Sequence, residues 1–186
     1  MEQNKIQEAV RRLAERSRSH AGAPAGGKKR GALVVIDQKP PVGDNTTLML
    51  YTVKLRAVDE CKPTVFFSPR LSNVQVVNRL ISIITGIDPG TIQSGQLNDS
   101  EWKLIDEKVP QLLGAPLYVD DTPELTVDEL RQKLAGLVKD SGVRMAVVDH
   151  MQDLTDGGQP ANVHRTEACL KAIAEDLGIT IFAVKD

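Results

Sequence analysis

Five short apolar runs, each separated from the next by a stretch of helical periodicity, constrain this chain more than any other feature. Ala32 to Ile36 reads Ala-Leu-Val-Val-Ile without a polar interruption. A strand buried on both faces has this pattern, whereas a half-solvated strand alternates polar and apolar residues. Thr64–Phe67, Leu117–Val119, Arg144–Val148 and Ile179–Val184 repeat the theme. Between them, residues 46–60 have a helical pattern. Ser72 with Gln75, Asn98 with Glu101 and Thr126 with Glu129 are capping boxes, in which a side chain at each end of the first turn satisfies a backbone N–H. They predict helices that start near 73, run from 98 to about Leu113, and run from 126 to about Lys139. Asp88-Pro89-Gly90 reads as a turn, and residues 162–177 as a helix closed by Gly178. Apolar strands alternating with helices predict an α/β domain: a mostly parallel sheet with helices on both faces. Ligands of such sheets bind beyond the carboxyl ends of the strands. The residues after Ile36, Phe67, Val119, Val148 and Val184 are therefore where chemistry is expected.

The first 30 residues differ from the rest. They carry eight basic and three acidic side chains, a net +5, which leaves −7 on the other 156 residues of a chain whose total is −2. Residues 1–18 read as a basic amphipathic helix whose stripe is Ile6, Val10 and Leu13, and so narrow a stripe must dock to persist. Residues 19–31 have the composition of a flexible linker, and residues 32–186 that of one domain. A basic arm on an acidic body suggests an acidic partner, either nucleic acid or another copy's body; a solvated arm is the plainer alternative. No apolar run is long enough to span a membrane. Cys61 and Cys169 stand 108 positions apart without a CxxC spacing, which suggests reduced core thiols in a cytoplasmic protein.

Two segments carry candidate chemistry. Residues 38–48, Gln-Lys-Pro-Pro-Val-Gly-Asp-Asn-Thr-Thr-Leu, lie between a strand and a helix. A phosphate-binding loop there would read G-x-x-x-x-G-K-[ST], with backbone N–H groups cradling phosphate, a Lys neutralising it and a hydroxyl holding Mg²⁺. Only Gly43 matches a glycine of that pattern. Asp44 or Asn45 takes the Lys position, depending on whether one residue is inserted before Thr46-Thr47-Leu48. Any strand–turn–helix with Pro and Gly would read similarly. The second segment, Met145–Asp149, is a buried strand ending in a carboxylate, which in phosphate-loop enzymes orders Mg²⁺ or its water and elsewhere is merely a turn Asp.

In their order along residues 32–186, five stretches resemble the RecA-like motor domain of the DnaB-type replicative DNA helicases. Lys39-Pro40-Pro41-Val42-Gly43 is similar to that family's phosphate loop. Phe67-Ser68-Pro69-Arg70-Leu71-Ser72, with Asn78-Arg79-Leu80-Ile81-Ser82, is similar to its F-S-L-E-M-S and R-L-L-S. Ser94-Gly95-Gln96-Leu97-Asn98-Asp99 with Trp102, Ala115–Pro123, and Val147-Val148-Asp149-His150-Met151-Gln152 resemble its S/T-G-x-L-x-D-x-x-W, P-L-Y-I-D-D-T-P and V-I-D-Y-L-Q. The resemblance implies a RecA-like fold with ATP and Mg²⁺ as cofactors. It places nucleotide at Lys39, Pro40, Gly43, Asp44, Asn45, Thr46 and Thr47, and Mg²⁺ at Thr46 and Asp149. It also implies oligomerisation, with a helix before the motor domain docking on a neighbour. Here residues 3–18 would fill that role, and DNA phosphates are the competing partner.

The departures from the family oppose its chemistry. Arg70 stands at the catalytic Glu position, where it is expected to face Asp149. Asp186 stands at a Gln position and His150 at a Tyr position. The family's DNA-binding loops and arginine finger lie further along than residue 186. A carboxylate about 4 Å from a phosphate charge is unfavourable by roughly 4 kcal/mol at an effective dielectric near 20, where a lysine would be favourable. Loss of the Glu removes positioning of the attacking water. These changes predict a non-hydrolysing binding or assembly module linked to DNA replication, against the alternative of a motor domain that still hydrolyses ATP in a larger assembly. A single-stranded nucleic-acid binder is disfavoured by aromatic content, since three Phe, two Tyr and one Trp leave few stacking platforms. His150 and His164 are expected to be ordinary surface or supporting groups.

Overall fold

The computed structural model describes residues 31–37, 43–156, 159–160 and 162–185. Its elements follow the predicted alternation. Strands β1 (Ala32–Ile36), β2 (Thr64–Phe67), β3 (Leu117–Asp120), β4 (Met145–Val148) and β7 (Thr180–Val184) form one five-stranded sheet. The order is β1-β7-β4-β2-β3 and every pairing is parallel. The last strand thus inserts between the first strand and the strand that ends at Asp149. β2 and β4 are buried along their whole length, as their continuous apolar sequences require. β3 is only partly covered.

Helices cover both faces. On one side α1 (Asn45–Val53) and α2 (Asn73–Thr85) bury Leu48, Met49, Val53, Val76 and Leu80 against Val34, Phe66, Val147, Phe182 and Val184. On the other, α5 (Val127–Ser141) and α6 (Val163–Leu177) bury Leu130, Leu134, Leu170 and Ile173 against Val65, Phe67, Ala146, Val148 and Ile181. Alternate residues of β1, β2, β4 and β7 feed opposite clusters, which is the period-2 geometry of a strand. α4 (Asp99–Leu113) packs on α2. All three capping boxes are present, at Ser72/Gln75, Asn98/Glu101 and Thr126/Glu129.

Several expectations need correction. The helix predicted for 46–60 is α-helical only to Val53 and continues as a π-helix over Lys54–Asp59. The wider turn brings residues five apart together, and Lys54 pairs with Asp59 at 2.9 Å. Asp88-Pro89-Gly90 is not a free turn but the start of α3 (Pro89–Ser94), with the Asp88 side chain accepting the Thr91 N–H. The cysteines are not core thiols: Cys61 is exposed and Cys169 half-buried. Gly31, assigned to the linker by composition, lies against α6, where an added Cβ would fall 1.6 Å from the Ala174 carbonyl oxygen. Two short strands, β5 (Thr155–Asp156) and β6 (Gln159–Pro160), pair antiparallel beyond β4 and had no counterpart in the sequence reading. The basic helix of residues 1–18 and linker residues 19–30 lie outside the described residues, as does Asp186.

Candidate functional site

The carboxyl edge of the sheet brings two of the predicted segments together. The backbone ladder runs one residue past β4, because the Asp149 N–H donates to the Phe67 carbonyl at 3.0 Å. This fixes Asp149 at the strand end with no solvent exposure. The head of α1 lies at this same edge. Asn45 is the first helical residue and is buried, as is Thr46. The Thr46 hydroxyl reaches Asp149, 3.1 Å from Oδ1 and 2.9 Å from Oδ2. A hydroxyl on α1 therefore meets a carboxylate 103 positions later in the sequence, and the residue before that hydroxyl is Asn45.

Asp44 does something the sequence reading missed. Gly43 takes a left-handed backbone conformation, φ 78°, and turns the chain so that Asp44 becomes the N-cap of α1. Its Oδ1 accepts the Thr47 N–H at 2.6 Å. An N-terminal helix turn leaves N–H groups without intrahelical partners and carries partial positive charge, so it favours anions. Here the chain's own carboxylate takes one of those donors. Arg79, from α2, approaches the other oxygen at 3.5 Å. Burial pushes the Asp44 carboxyl up, but the Thr47 hydrogen bonds and the Arg79 charge outweigh it and hold it below the ordinary carboxylate range. Asp44 is thus an anion at neutral pH. Asp44, Thr47, Tyr51, Arg79, Ile83 and Asp88 line part of a groove of about 460 Å³ beside this helix end.

Arg70 departs from expectation. It follows β2, but its guanidinium does not pair with Asp149. It forms a two-pronged pair with Asp153, Nε to Oδ2 at 2.5 Å and an Nη to Oδ1 at 3.0 Å. Asp153 sits on the single 3₁₀ turn Met151–Asp153 just after Asp149, so the closer partner for the arginine lies one turn beyond the strand end. His150 begins that turn with φ 52°, a left-handed conformation that is costly for a residue with a Cβ. Its Nδ1 lies 3.1 Å from Asp149 Oδ2, with the side chain 12% exposed. His164, on α6, is exposed.

Of the predicted site residues, Thr46 and Asp149 meet directly, with Gly43, Asp44, Asn45 and Thr47 at the same helix end. Arg70 lies at the same sheet edge but engages Asp153. Lys39 and Pro40 lie outside the described residues. The residue missed was Arg79, and no local signal links it to Asp44, 35 positions away.

Comparisons with known proteins bear on the family and the fold. The family model of the DnaB-like helicase C terminal domain matches residues 22–186. The replicative DNA helicase DnaB of Leifsonia xyli subsp. xyli is 27% identical over 158 residues, 83% of this chain and 34% of that protein. DnaB of Mycobacterium intracellulare is 29% identical over 144 residues, 75% of this chain and 25% of that protein. The chain therefore spans about a third or less of the length of these curated relatives. Among solved structures, the ATPase domain of G40P superposes with a TM-score of 0.73 at 19% identity, covering 97% of this chain and 70% of that one. A DnaB-like replicative helicase, solved in a study of its interactions with primase, gives 0.73 at 20% identity, covering 96% of this chain and 47% of that one. The structural matches establish the fold as RecA-like.

Proposed function

This chain belongs to the DnaB-like helicase C-terminal domain family, and from that premise we propose that it is a non-hydrolysing binding or assembly module of DNA replication. The observation that carries the proposal is Asp44. Its carboxylate accepts the Thr47 N–H at 2.6 Å, at the helix end where the family pattern calls for phosphate. A nucleotide would have to displace that carboxylate, or bind beside it against like charge. Arg70 adds support. A guanidinium paired with Asp153 cannot accept a proton from water or orient it as a carboxylate does.

The donor set divides by ligand. A hydroxyl and a carboxylate at Thr46 and Asp149 fit a divalent cation, whereas Asp44 does not fit a triphosphate. When bound, Mg-ATP would supply the phosphoryl group and neutralise its charge through the metal. This chain's own residues would contribute the Thr46 hydroxyl and the Asp149 carboxylate to that metal, and Gly43 and Thr47 backbone to the phosphates. The intact Thr46–Asp149 contact favours a second reading, in which the domain keeps an ATP site and works as a motor in a larger assembly. Calorimetry separates the two. We expect a Kd for Mg-ATP weaker than about 1 mM, equivalent to roughly 4 kcal/mol; micromolar binding would leave only the second reading.

A further inference from the structure

β2 and β4 are neighbours in the sheet, but their connections turn to opposite faces. β2 leads into α2, which buries Val76 and Leu80 in the cluster around Phe66. β4 leads on to α6, which buries Leu170 and Ile173 in the cluster around Phe67. In parallel sheets, ligands enter where neighbouring connections part in this way, outside the carboxyl ends of the strands.

In this chain that position is bridged. Arg70, from the loop between β2 and α2, reaches Asp153 on the turn after β4, with Nε to Oδ2 at 2.5 Å and an Nη to Oδ1 at 3.0 Å. The two ends of the bridge are rooted in different layers. Leu71, beside Arg70, packs on one cluster, whereas Met151 and Leu154, on either side of Asp153, are buried in the other. The same two strands share the bond from the Asp149 N–H to the Phe67 carbonyl, and Asp149 has no solvent exposure. His150, at the head of the turn, has left-handed backbone, φ 52°, which persists where surrounding contacts hold it.

We propose that Arg70 and Asp153 form a clasp across the parting of β2 and β4, an autoinhibitory contact that must open before anything entering there reaches Asp149. The side chains are 50% and 30% exposed, so salt weakens the pair and the clasp can release without unfolding the core. The device is independent of whether the domain binds ATP.

Amide hydrogen exchange on the full chain reads the clasp, because it reports local opening. The Asp149 amide, bonded across β2 and β4, is the reporter. The Thr180 amide, bonded to the Arg144 carbonyl at the amino end of β4, is the control. Arg70→Gln should speed exchange at Asp149 about fivefold and leave Thr180 unchanged. Asp153→Asn should do the same, and the double variant should be no faster than either single one. Sodium chloride at about 1 M should speed Asp149 in the parent chain and not in Arg70→Gln. The clasp is overturned if neither single variant changes the Asp149 amide, if Thr180 accelerates alongside it, or if the two single effects add in the double variant.

Discussion

Replacing Asp44 with Asn separates the two jobs its carboxylate performs. Asn caps helices about as well as Asp, so the Thr47 N–H keeps an acceptor in place of the 2.6 Å bond. The Arg79 contact is long, 3.5 Å, and lies between side chains 36% and 60% exposed, so its loss costs no more than about 0.5 kcal/mol. The melting temperature should then shift by no more than about 2 °C. The negative charge, however, is gone. An unscreened estimate for a carboxylate about 4 Å from a phosphate charge is roughly 4 kcal/mol at an effective dielectric near 20. Salt and the exposure of Asp44 reduce this to about 1–2 kcal/mol, or roughly tenfold in affinity. A titration with Mg-ADP at physiological salt, followed through the Thr47 amide resonance, should show Asp44→Asn binding about tenfold more tightly than the parent chain. Adding Arg70→Glu to Asp44→Lys should increase the gain. Equal affinity in parent and Asp44→Asn, with the Thr47 amide unmoved in both, would refute the reasoning and assign the loss of binding to the loop backbone.

Thr46→Val removes the hydroxyl donated to buried Asp149 and should destabilise the domain by about 2 kcal/mol, read as a fall in melting temperature of roughly 4–8 °C. Lys133 donates to Asp120 Oδ2 at 2.6 Å and to the Thr122 hydroxyl at 2.6 Å; burial raises the Asp120 carboxyl, but Lys133 and Thr122 together hold it below its ordinary range. A depressed folded-state value contributes stability that is present above the unfolded value and lost as pH falls through the folded one, so Lys133→Met should cost about 1 kcal/mol at pH 7 and progressively less in urea titrations between about pH 5 and pH 2. In the arm, changing Ile6, Val10 and Leu13 to Ser at unchanged charge should abolish self-association if the apolar stripe docks on another copy, and should affect a purely electrostatic DNA contact far less; sedimentation showing only monomer for the parent chain at hundreds of micromolar would exclude the docking account.

What could be read in advance follows the range of the interactions. The three capping boxes and the buried strands are local patterns, with partners three residues apart or within one apolar run, and the structure reproduces them with small boundary shifts. The Asp44 cap was equally local. An Asp three residues before Thr47 at the head of an apolar helix is an N-cap signal, yet comparison with a lysine-bearing loop cast Asp44 as a substitution rather than as a cap. The pairing of Asp156 with Gln159 was not legible, because the flanks lack the alternating apolar residues that usually mark a hairpin. The Arg70–Asp153 pair was not legible. Its members are 83 positions apart, and only the 3₁₀ turn after β4 brings the carboxylate within reach, while the same turn places His150 against Asp149.

The parts of the site that persist and those that changed differ in what the fold requires of them. Thr46 and Asp149 are both buried and satisfy one another, so losing either exposes the other to a desolvation cost. The fold therefore gives a reason to keep the pair, beside the cation it would hold if the domain keeps an ATP site. Asp44 is exposed, and Arg70 is half-exposed in its pair with Asp153. At such positions a change of charge costs the fold little, so the fold alone does not fix which charge stands there. Under the proposed reading, the residues that bear on function are these surface charges at the mouth, opposite in sign to those that a triphosphate and its attacking water would need. Restoring the mouth while leaving Thr46 and Asp149 untouched is the decisive perturbation: the buried pair would serve a nucleotide only if the charges above it allowed one to enter.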